Sequence, residues 1–283
     1  MGFFESLWAF LIAVCMVFTG IVDYGTPSAG KEVELVKEEK LVLDGALYSG
    51  QGITTDGEYY YTSGSFTAFG VAGLAKWEPE TFEQVAINKD AIPERYAEFH
   101  ESDHIGGISY FDGKIYAAVE NKAEDFPLVV TYDTETLQPV DIYKVSNEYL
   151  PDGIPWCAVD SANGYLYCSP FNRTEYIVAF HLDTMEFSHL IELSEPITRI
   201  QGGEVYEGVL YLSHDAKNSN NDKVLTVNIG TGEVGELCTR SLPSAAGNEA
   251  EGLTVFPMAD GSLIHILDYD KTVGVYIRHY AVK

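Results

Sequence analysis

Five hairpin-like segments recur along this chain, at a spacing of roughly 50 residues. Each segment is an apolar run, a glycine-centred turn and a second apolar run, which is the pattern of a β-hairpin. The clearest copy begins at Asp103 and reads DHIGGISYFDGKIYAAVEN. The turn glycines that bring the copies into register are Gly57, Gly113, Gly164, Gly208 and Gly261, and the residues three positions beyond them are Tyr60, Tyr116, Tyr167, Tyr211 and Ile264.

A second turn signal has the same period. It reads WEPETFEQV from Trp77, YDTETLQPV from Tyr132, LDTMEFSHL from Leu182 and IGTGEVGEL from Ile229, with turn-forming residues between apolar flanks each time. Four strands per repeat, without an amphipathic helix, are typical of a β-propeller blade. The sequence therefore predicts an all-β, five-bladed propeller with four-stranded antiparallel blades. A β-sandwich is the alternative, but it does not predict repeating turn chemistry.

The last repeat offers only three strands after Glu251. The segment Lys31–Asp44 alternates charged residues with Val and Leu, as an exposed edge strand does. We therefore expect it to supply the fourth strand of the last blade, which would join the two chain ends and remove an open edge. Residues 31–283 then form one domain.

Residues 1–30 stand apart, because Leu7–Val22 is an uncharged apolar run. It predicts a secretory signal peptide, with an uncleaved membrane anchor as the alternative. The protein is then expected to be extracellular or tethered to a membrane by this segment. The net charge of −26 argues against nucleic acid or an anionic membrane surface as a partner.

Two cysteines, Cys157 and Cys168, fall on the two arms of one predicted hairpin, roughly opposite each other. They could bridge in an oxidising compartment, although a register error of one residue would place them on opposite faces. No C-x-x-C pair is present, so the cysteines indicate neither a zinc site nor a thioredoxin-like site.

In a propeller, the start of each innermost strand and the end of the next strand lie at the same mouth of the central channel. This register nominates a set of site residues without any single strong motif. The candidates are Gln51, His104, Glu120, Trp156, Arg199, Gln201, His214, Asp215, Glu251 and Asp268.

Four of these candidates are carboxylates that converge on the mouth. A hard cation such as Ca²⁺ would offset their charge through oxygen ligands, so we expect calcium as a cofactor. The alternative for each acid is that it caps a strand or meets solvent. The predicted metal ligands are Glu120, Asp215, Glu251 and Asp268.

His104 and Arg199 are the candidates for catalysis. His104 precedes Ile105-Gly106-Gly107, where glycines allow close backbone approach, so it could serve as a general acid or base; the alternative is a structural histidine. Arg199 could hold an anionic group, or form an ion pair with Glu249 or Glu251.

The predicted ligand-binding residues are Gln51, Trp156, Gln201 and His214. Trp156 is equally compatible with a place in the core between blades. A catalytic triad of Ser213, His214 and Asp215 is excluded, because adjacent residues on a strand point to opposite faces.

The hairpins and the YDTETL and IGTGEV turns resemble those of lactonase-like, quinoprotein-like and NHL-like propellers. The stretches AVDSANGYLYCS, LDTMEF and VYEGVLYL are similar to five-bladed olfactomedin domains, which carry a buried metal ion. Glu249-Ala250-Glu251-Gly252-Leu253 resembles strand starts of phytase-like and esterase-like propellers, and the resemblance implies that Glu251 contributes to a Ca²⁺ site.

Two functions follow as expectations. The first is a non-catalytic extracellular module that binds a small-molecule or extracellular ligand, with a cation, at the mouth of the channel. The second is a calcium-dependent hydrolase or lyase in which His104 handles a proton. No nucleophile–base pair emerges from the sequence, and this favours binding.

Overall fold

The computed structural model describes residues 32–66, 70–121, 126–217, 221–240, 248–270 and 274–283. The expected signal peptide or anchor, and with it the boundary between the two predicted segments, lies outside the described residues. No helix in the described part of the chain is both long and apolar enough to span a membrane. The only helical elements in these ranges are α1 (Leu43–Ala46) and a 3₁₀ turn (Ala97–Phe99).

The strands form five antiparallel, four-stranded sheets arranged in a ring, which confirms the predicted propeller. In chain order the strands are β1 (Val33–Lys40), β2 (Ile53–Thr55), β3 (Tyr60–Phe66), β4 (Val71–Trp77), β5 (Gln84–Asn88), β6 (Ser102–Phe111), β7 (Lys114–Asn121), β8 (Leu128–Asp133), β9 (Pro139–Lys144), β10 (Ala158–Asp160), β11 (Tyr165–Cys168), β12 (Thr174–His181), β13 (Phe187–Ile197), β14 (Ile200–Tyr206), β15 (Val209–His214), β16 (Asp222–Asn228), β17 (Val234–Arg240), β18 (Asn248–Val255), β19 (Ile264–Asp270) and β20 (Gly274–Val282).

Blades 1 to 4 are β2–β5, β6–β9, β10–β13 and β14–β17, each in simple sequence order from the axis outwards. Blade 5 contains β18, β19 and β20, and β1 pairs antiparallel with β20 as its outermost strand. The register runs from Val33 opposite Val282 to Lys40 opposite Tyr276. The expected closure of the ring by the N-terminal strand is therefore confirmed.

The turn between the first and second strands uses glycine because its backbone is left-handed. All five register glycines have positive φ, a conformation that side chains with a Cβ rarely adopt. Their φ angles are 88° (Gly57), 75° (Gly113), 74° (Gly164), 76° (Gly208) and 88° (Gly261).

The turn between the third and fourth strands also repeats in detail. Phe82, Leu137 and Met185 have φ angles of 54°, 55° and 56°, and Gly232 takes the same place with 71°. The amide of each donates to the carbonyl four residues earlier, as Phe82 N does to Glu78 O over 2.9 Å. Left-handed backbone is costly for residues other than glycine. The side chains of Phe82, Leu137 and Met185 are buried, and this burial offsets the cost of the backbone conformation.

The hydrophobic core is divided into five layers, each between two neighbouring blades. Blades 1 and 2 pack through residues such as Leu74 and Ile108, and blades 3 and 4 pack through Ile177 and Leu212. The layer between blades 5 and 1 also holds two buried histidines. His265 Nδ1 lies 2.7 Å from His279 Nδ1, and His265 Nε2 lies 2.8 Å from the carbonyl oxygen of Phe256.

The cysteines of blade 3 occupy the positions that the hairpin pattern predicts. Ala158 pairs with Tyr167, so the next residues outward, Cys157 and Cys168, stand opposite each other. Both are fully buried in the layer between blades 2 and 3, and both are free thiols.

Candidate functional site

The inner strands begin at one end of the channel, here called the upper mouth, where the second strands end. His104 on β6 pairs across the ladder with Glu120 on β7. Two blades further on, Arg199 precedes β14 and Asp215 follows β15, and the two side chains form an ion pair. Both pairs occupy the same place in their repeats, nine residues before and seven after the turn glycine. The sequence register therefore brings an acid and its partner together within blade 2 and within blade 4.

His104 is enclosed by protein, and burial lowers the pKa of its imidazole, with the charge of Asp103 acting in the opposite direction. The ring is therefore neutral near pH 7. Opposite it, the Glu120 carboxylate lies directly against the backbone of Gly153, where a Cβ atom would stand 2.5 Å from Oε1. Gly153 also has a φ of 92°, a backbone conformation that favours glycine.

Arg199 is held by contacts on two sides. Its Nε donates to Asp215 Oδ2 over 3.1 Å, and its guanidinium carbon lies 4.8 Å from the centre of the Phe171 ring. Asp215 is fully buried, whereas Arg199 stays partly exposed. The φ of Arg199 is 50°, an uncommon value for a residue with a side chain. The guanidinium group therefore presents an exposed, pre-oriented face at the upper mouth.

Asp268 faces two arginines. It accepts from Arg240 over 2.9 Å and 3.0 Å and from Arg278 over 2.6 Å, and all three residues are buried. Arg278 also donates to Glu38 over 2.7 Å. This network links the outer strand β17 of blade 4 to β19, β20 and β1 of blade 5. It therefore ties the N-terminal strand to two blades.

Glu251 and Gln51 meet where blade 5 adjoins blade 1. Gln51 Nε2 donates to Glu251 Oε1 over 3.5 Å, and the Gly252 amide donates to the Gln51 carbonyl over 2.6 Å. Glu251 is buried. Gln201 and His214 lie in blade 4, both partly exposed, and burial lowers the pKa of His214.

Trp156 lies in the core between blades rather than at the channel surface. It is fully buried, and its indole nitrogen donates to Ser169 Oγ over 3.1 Å. Its ring also covers Gly203, where a Cβ atom would stand 2.8 Å from two ring carbons. A ligand at the upper mouth therefore has no access to the indole.

The four acids predicted as calcium ligands are held in different surroundings. Asp215 faces Arg199, Asp268 faces two arginines, Glu251 meets Gln51 and Glu120 lies beside His104. Among the residues that the structure describes, no three His, Cys, Asp or Glu side chains are grouped so that they could hold a metal ion. The four acids thus do not form a common ligand set. The calcium ion stays a prediction.

Below the upper mouth the channel narrows because glycines let the inner strands touch backbone to backbone. A Cβ atom at Gly106 would stand 2.2 Å from the carbonyl oxygen of Pro155, and one at Gly202 would stand 2.6 Å from Cα of Gly252. Across the axis, Cα atoms of β6 come within 8 Å of those of β14 and β18. A ligand held at the upper mouth therefore cannot pass through this constriction.

A cleft of about 1240 Å³ opens beside the upper mouth, under the connection between blades 1 and 2. Its lining includes Lys89, Arg95, Tyr96 and Phe99, and it reaches Ser102 and Asp103, the residues just before His104. The Ser102 hydroxyl is buried and has no hydrogen-bond partner in the described structure. Such a group is expected to meet water or a ligand.

The repeat register does not predict this cleft, because the segment from Lys89 to Asp103 carries no repeat signal. The length of this segment is the sequence feature that could have indicated it. Connections of this length are uncommon in compact domains and often have a function.

No family model matches the chain, and no curated protein matches it. Solved structures do match. A GH43_1 enzyme from Xanthomonas citri shares 12% identity at a TM-score of 0.56, over 87% of this chain and 89% of the other. RS223-β-xylosidase shares 11% identity at a TM-score of 0.54, over 87% and 94%.

An exo-β-1,3-galactanase from Clostridium thermocellum shares 12% identity at a TM-score of 0.53, over 88% of this chain and 62% of the other. The likeness is to the fold alone. This chain spans less than two thirds of the galactanase.

Proposed function

We propose that this propeller binds a small polar ligand at the upper mouth as a non-catalytic domain of a secreted or membrane-tethered protein. The observation that carries the proposal is the cleft beside the upper mouth, whose lining ends at Ser102 and Asp103, directly before His104. A ligand in the cleft would meet the hydroxyl of Ser102 and the aromatic rings of Tyr96 and Phe99. We propose that it extends past Asp103 onto the upper mouth, where it would meet the imidazole of His104 and the carboxylate of Glu120. Concave sites with a few convergent polar groups are typical of small-molecule binding.

A carbohydrate fits this mixture of groups. Sugar hydroxyls pair with carboxylates and imidazoles, and aromatic rings pack against their apolar faces. Because one GH43_1 enzyme of the same fold has been solved in complex with xylotriose, xylo-oligosaccharides are the first ligands to test, followed by galacto-oligosaccharides and sugar acids.

The test is isothermal titration with this panel, comparing wild type with Glu120→Gln. We expect the substitution to weaken binding about tenfold or more, since a hydrogen bond to a charged group contributes about 1.5–3 kcal/mol. The matched control is Asp112→Asn, in the turn at the other end of the same hairpin, where the side chain is exposed. Equal affinity in both variants, or no binding to any sugar, would contradict the carbohydrate proposal.

A hydrolase or lyase is the second candidate, and the observation that favours it is the state of His104. A neutral imidazole held opposite a carboxylate can accept a proton near pH 7. If the chain is an enzyme, His104→Asn should lower kcat by about 100-fold or more, a much larger effect than its effect on ligand affinity. Turnover that is equal in this variant and in wild type would exclude His104 as the acid or base.

A further inference from the structure

Two buried histidines lie in the layer between blades 5 and 1, next to the strand that closes the ring. The structure describes all seven histidines of the chain, and only His265 on β19 and His279 on β20 are buried, with 0% and 3% of their surface exposed. Blade 1 packs two aromatic rings against them. The ring centre of His279 lies 5.9 Å from that of Tyr60 and 5.5 Å from that of Phe82. Buried imidazole groups are therefore confined to one of the five layers.

The hydrogen bonds of this pair determine where its protons lie. His265 Nε2 is 2.8 Å from the carbonyl oxygen of Phe256, which can only accept, so Nε2 carries a hydrogen. A neutral imidazole has a single N–H group, so His265 Nδ1 accepts the 2.7 Å hydrogen bond from His279 Nδ1. His279 Nε2 is then left as a bare acceptor. It is buried and has no hydrogen-bond partner in the described structure.

The closed layer has no good place for one further proton. While both hydrogen bonds are kept, the only nitrogen that can accept it is His279 Nε2. The new N–H group would be a buried donor without an acceptor, because the neighbouring Tyr60 hydroxyl also has no partner within hydrogen-bond reach. The added charge would be buried as well. Burial is accordingly the main cause that lowers the pKa of His265 to about 4 and that of His279 to about 3.

The charged groups around the pair act in opposite directions. Lys37 stands opposite His279 in the β1–β20 ladder and opposes its protonation. The ammonium group of Lys37 also lies 5.3 Å from the centre of the Phe82 ring, so β1 contacts blade 1 at this point. Asp260, in the turn before β19, favours protonation of both histidines. Its side chain is exposed and already accepts from Ser262 over 2.9 Å, so it does not cancel the effect of burial.

We propose that the His265–His279 pair is an acid-sensitive switch: acidification opens the layer between blades 5 and 1 and loosens β1, while the other blades stay folded. Once the layer is open, water surrounds both rings and each can carry a proton, so a falling pH favours the open form. The opening is local because the other four layers hold no buried histidine. Strand β1 responds because β20, which carries His279, is its only partner in the sheet. The proposal does not rest on the proposed function.

The size of the response follows from proton uptake. At pH 5 an exposed imidazole is protonated in about 30-fold excess over its neutral form, whereas the closed pair stays almost entirely neutral. Opening should therefore become about 30-fold more frequent between pH 7 and pH 5 if one ring is released, and about 1000-fold more frequent if both are released.

Hydrogen–deuterium exchange of the full chain at pH 7 and pH 5, corrected for the intrinsic pH dependence of exchange, measures the opening of each blade. Peptides from β1, β20 and β3 should lose protection by the factors above, and peptides from β11 and β12 of blade 3 should not. His279→Asn keeps a donor for His265 Nδ1 but removes one titrating ring, so its loss should not exceed about 30-fold. The double variant His265→Gln/His279→Asn should lose the response. The control His181→Asn, an exposed histidine on β12, should behave as wild type does.

Three outcomes overturn the proposal. The first is an equal loss of protection in blade 3, which would mean that acid unfolds the whole propeller rather than one layer. The second is wild-type protein that keeps its protection in β1 and β20 at pH 5. The third is a double variant that responds to pH as wild type does. If the double variant does not fold, the difference between blades in the wild-type protein decides the question alone.

Discussion

Replacing Asp268 by Asn should destabilise the fold strongly, because Asp268 is the acid that both buried arginines of the network contact. The side chains of Arg240 and Arg278 are 2% and 5% exposed. Asn has nearly the same shape as Asp but carries no charge, so the guanidinium group of Arg240 would stay buried beside a neutral amide, and Arg278 would keep only its ion pair with Glu38. Breaking a buried ion pair in this way costs about 3–5 kcal/mol.

For a chain of this size, each kcal/mol lowers Tm by about 2–4 °C, so Tm should fall by about 10 °C. Urea denaturation at pH 7 measures the free energy of unfolding directly. The matched control is Asp141→Asn. Asp141 pairs with Lys114 over 2.9 Å, but the two side chains are 39% and 40% exposed. An exposed pair contributes less than about 1 kcal/mol.

A loss below about 1 kcal/mol in Asp268→Asn, or an equal loss in Asp141→Asn, would refute this argument. The measurement should be repeated after chelation. A loss that appears only when calcium is present would mean that Asp268 binds the ion, whereas an unchanged loss is expected from an arginine network.

Two further predictions concern the glycine constriction and the buried histidines. Gly52→Ala should destabilise the fold by about 1–3 kcal/mol in urea denaturation, since its Cβ would stand 2.8 Å from the Gly106 carbonyl oxygen. The control Gly50→Ala should be nearly neutral, because no atom would lie closer than 3.6 Å to its Cβ. Equal losses of stability in the two variants would contradict the close packing of the inner strands. Burial lowers the pKa of His265 to about 4 and that of His279 to about 3. The unfolded chain therefore binds more protons below pH 6.5, so stability is full above that pH and falls by about 2 kcal/mol per histidine between pH 6.5 and 5. His279→Leu should flatten this slope in urea denaturation at several pH values, and an unchanged slope would exclude the pair as its cause.

The architecture was predictable because its signals are local and repeated. The left-handed turn between the first and second strands favours glycine in all five blades. These glycines align the five repeats of the sequence. That register also placed His104 opposite Glu120, because it determines which residues pair within a blade. The alternation in Lys31–Asp44 marked the closing strand for the same local reason.

Contacts between blades could not be predicted in this way. Asp268 belongs to one repeat and Arg240 to the previous one. Their contact depends on the angle between neighbouring sheets, and no repeating sequence pattern reports that angle. The carboxyl of Glu204 on β14, which accepts hydrogen bonds from Ser109 and Thr254, is a similar case. Its partners Thr54, Ser109 and Thr254 come from three separate repeats, and only the ring geometry brings them to one carboxyl. The cleft lies under residues 89–103, whose sequence carries no repeat signal, so the register gives no information about it.

The pairing of β1 with β20 has a consequence for biosynthesis. Strand β1 has no partner until β20 has left the ribosome, so it stays unpaired through the synthesis of four complete blades. During that time its alternating charged face protects it from pairing with a stray edge. A version of this protein truncated before β20 would therefore expose two unpaired edges at once, and we expect it to aggregate while it is being made.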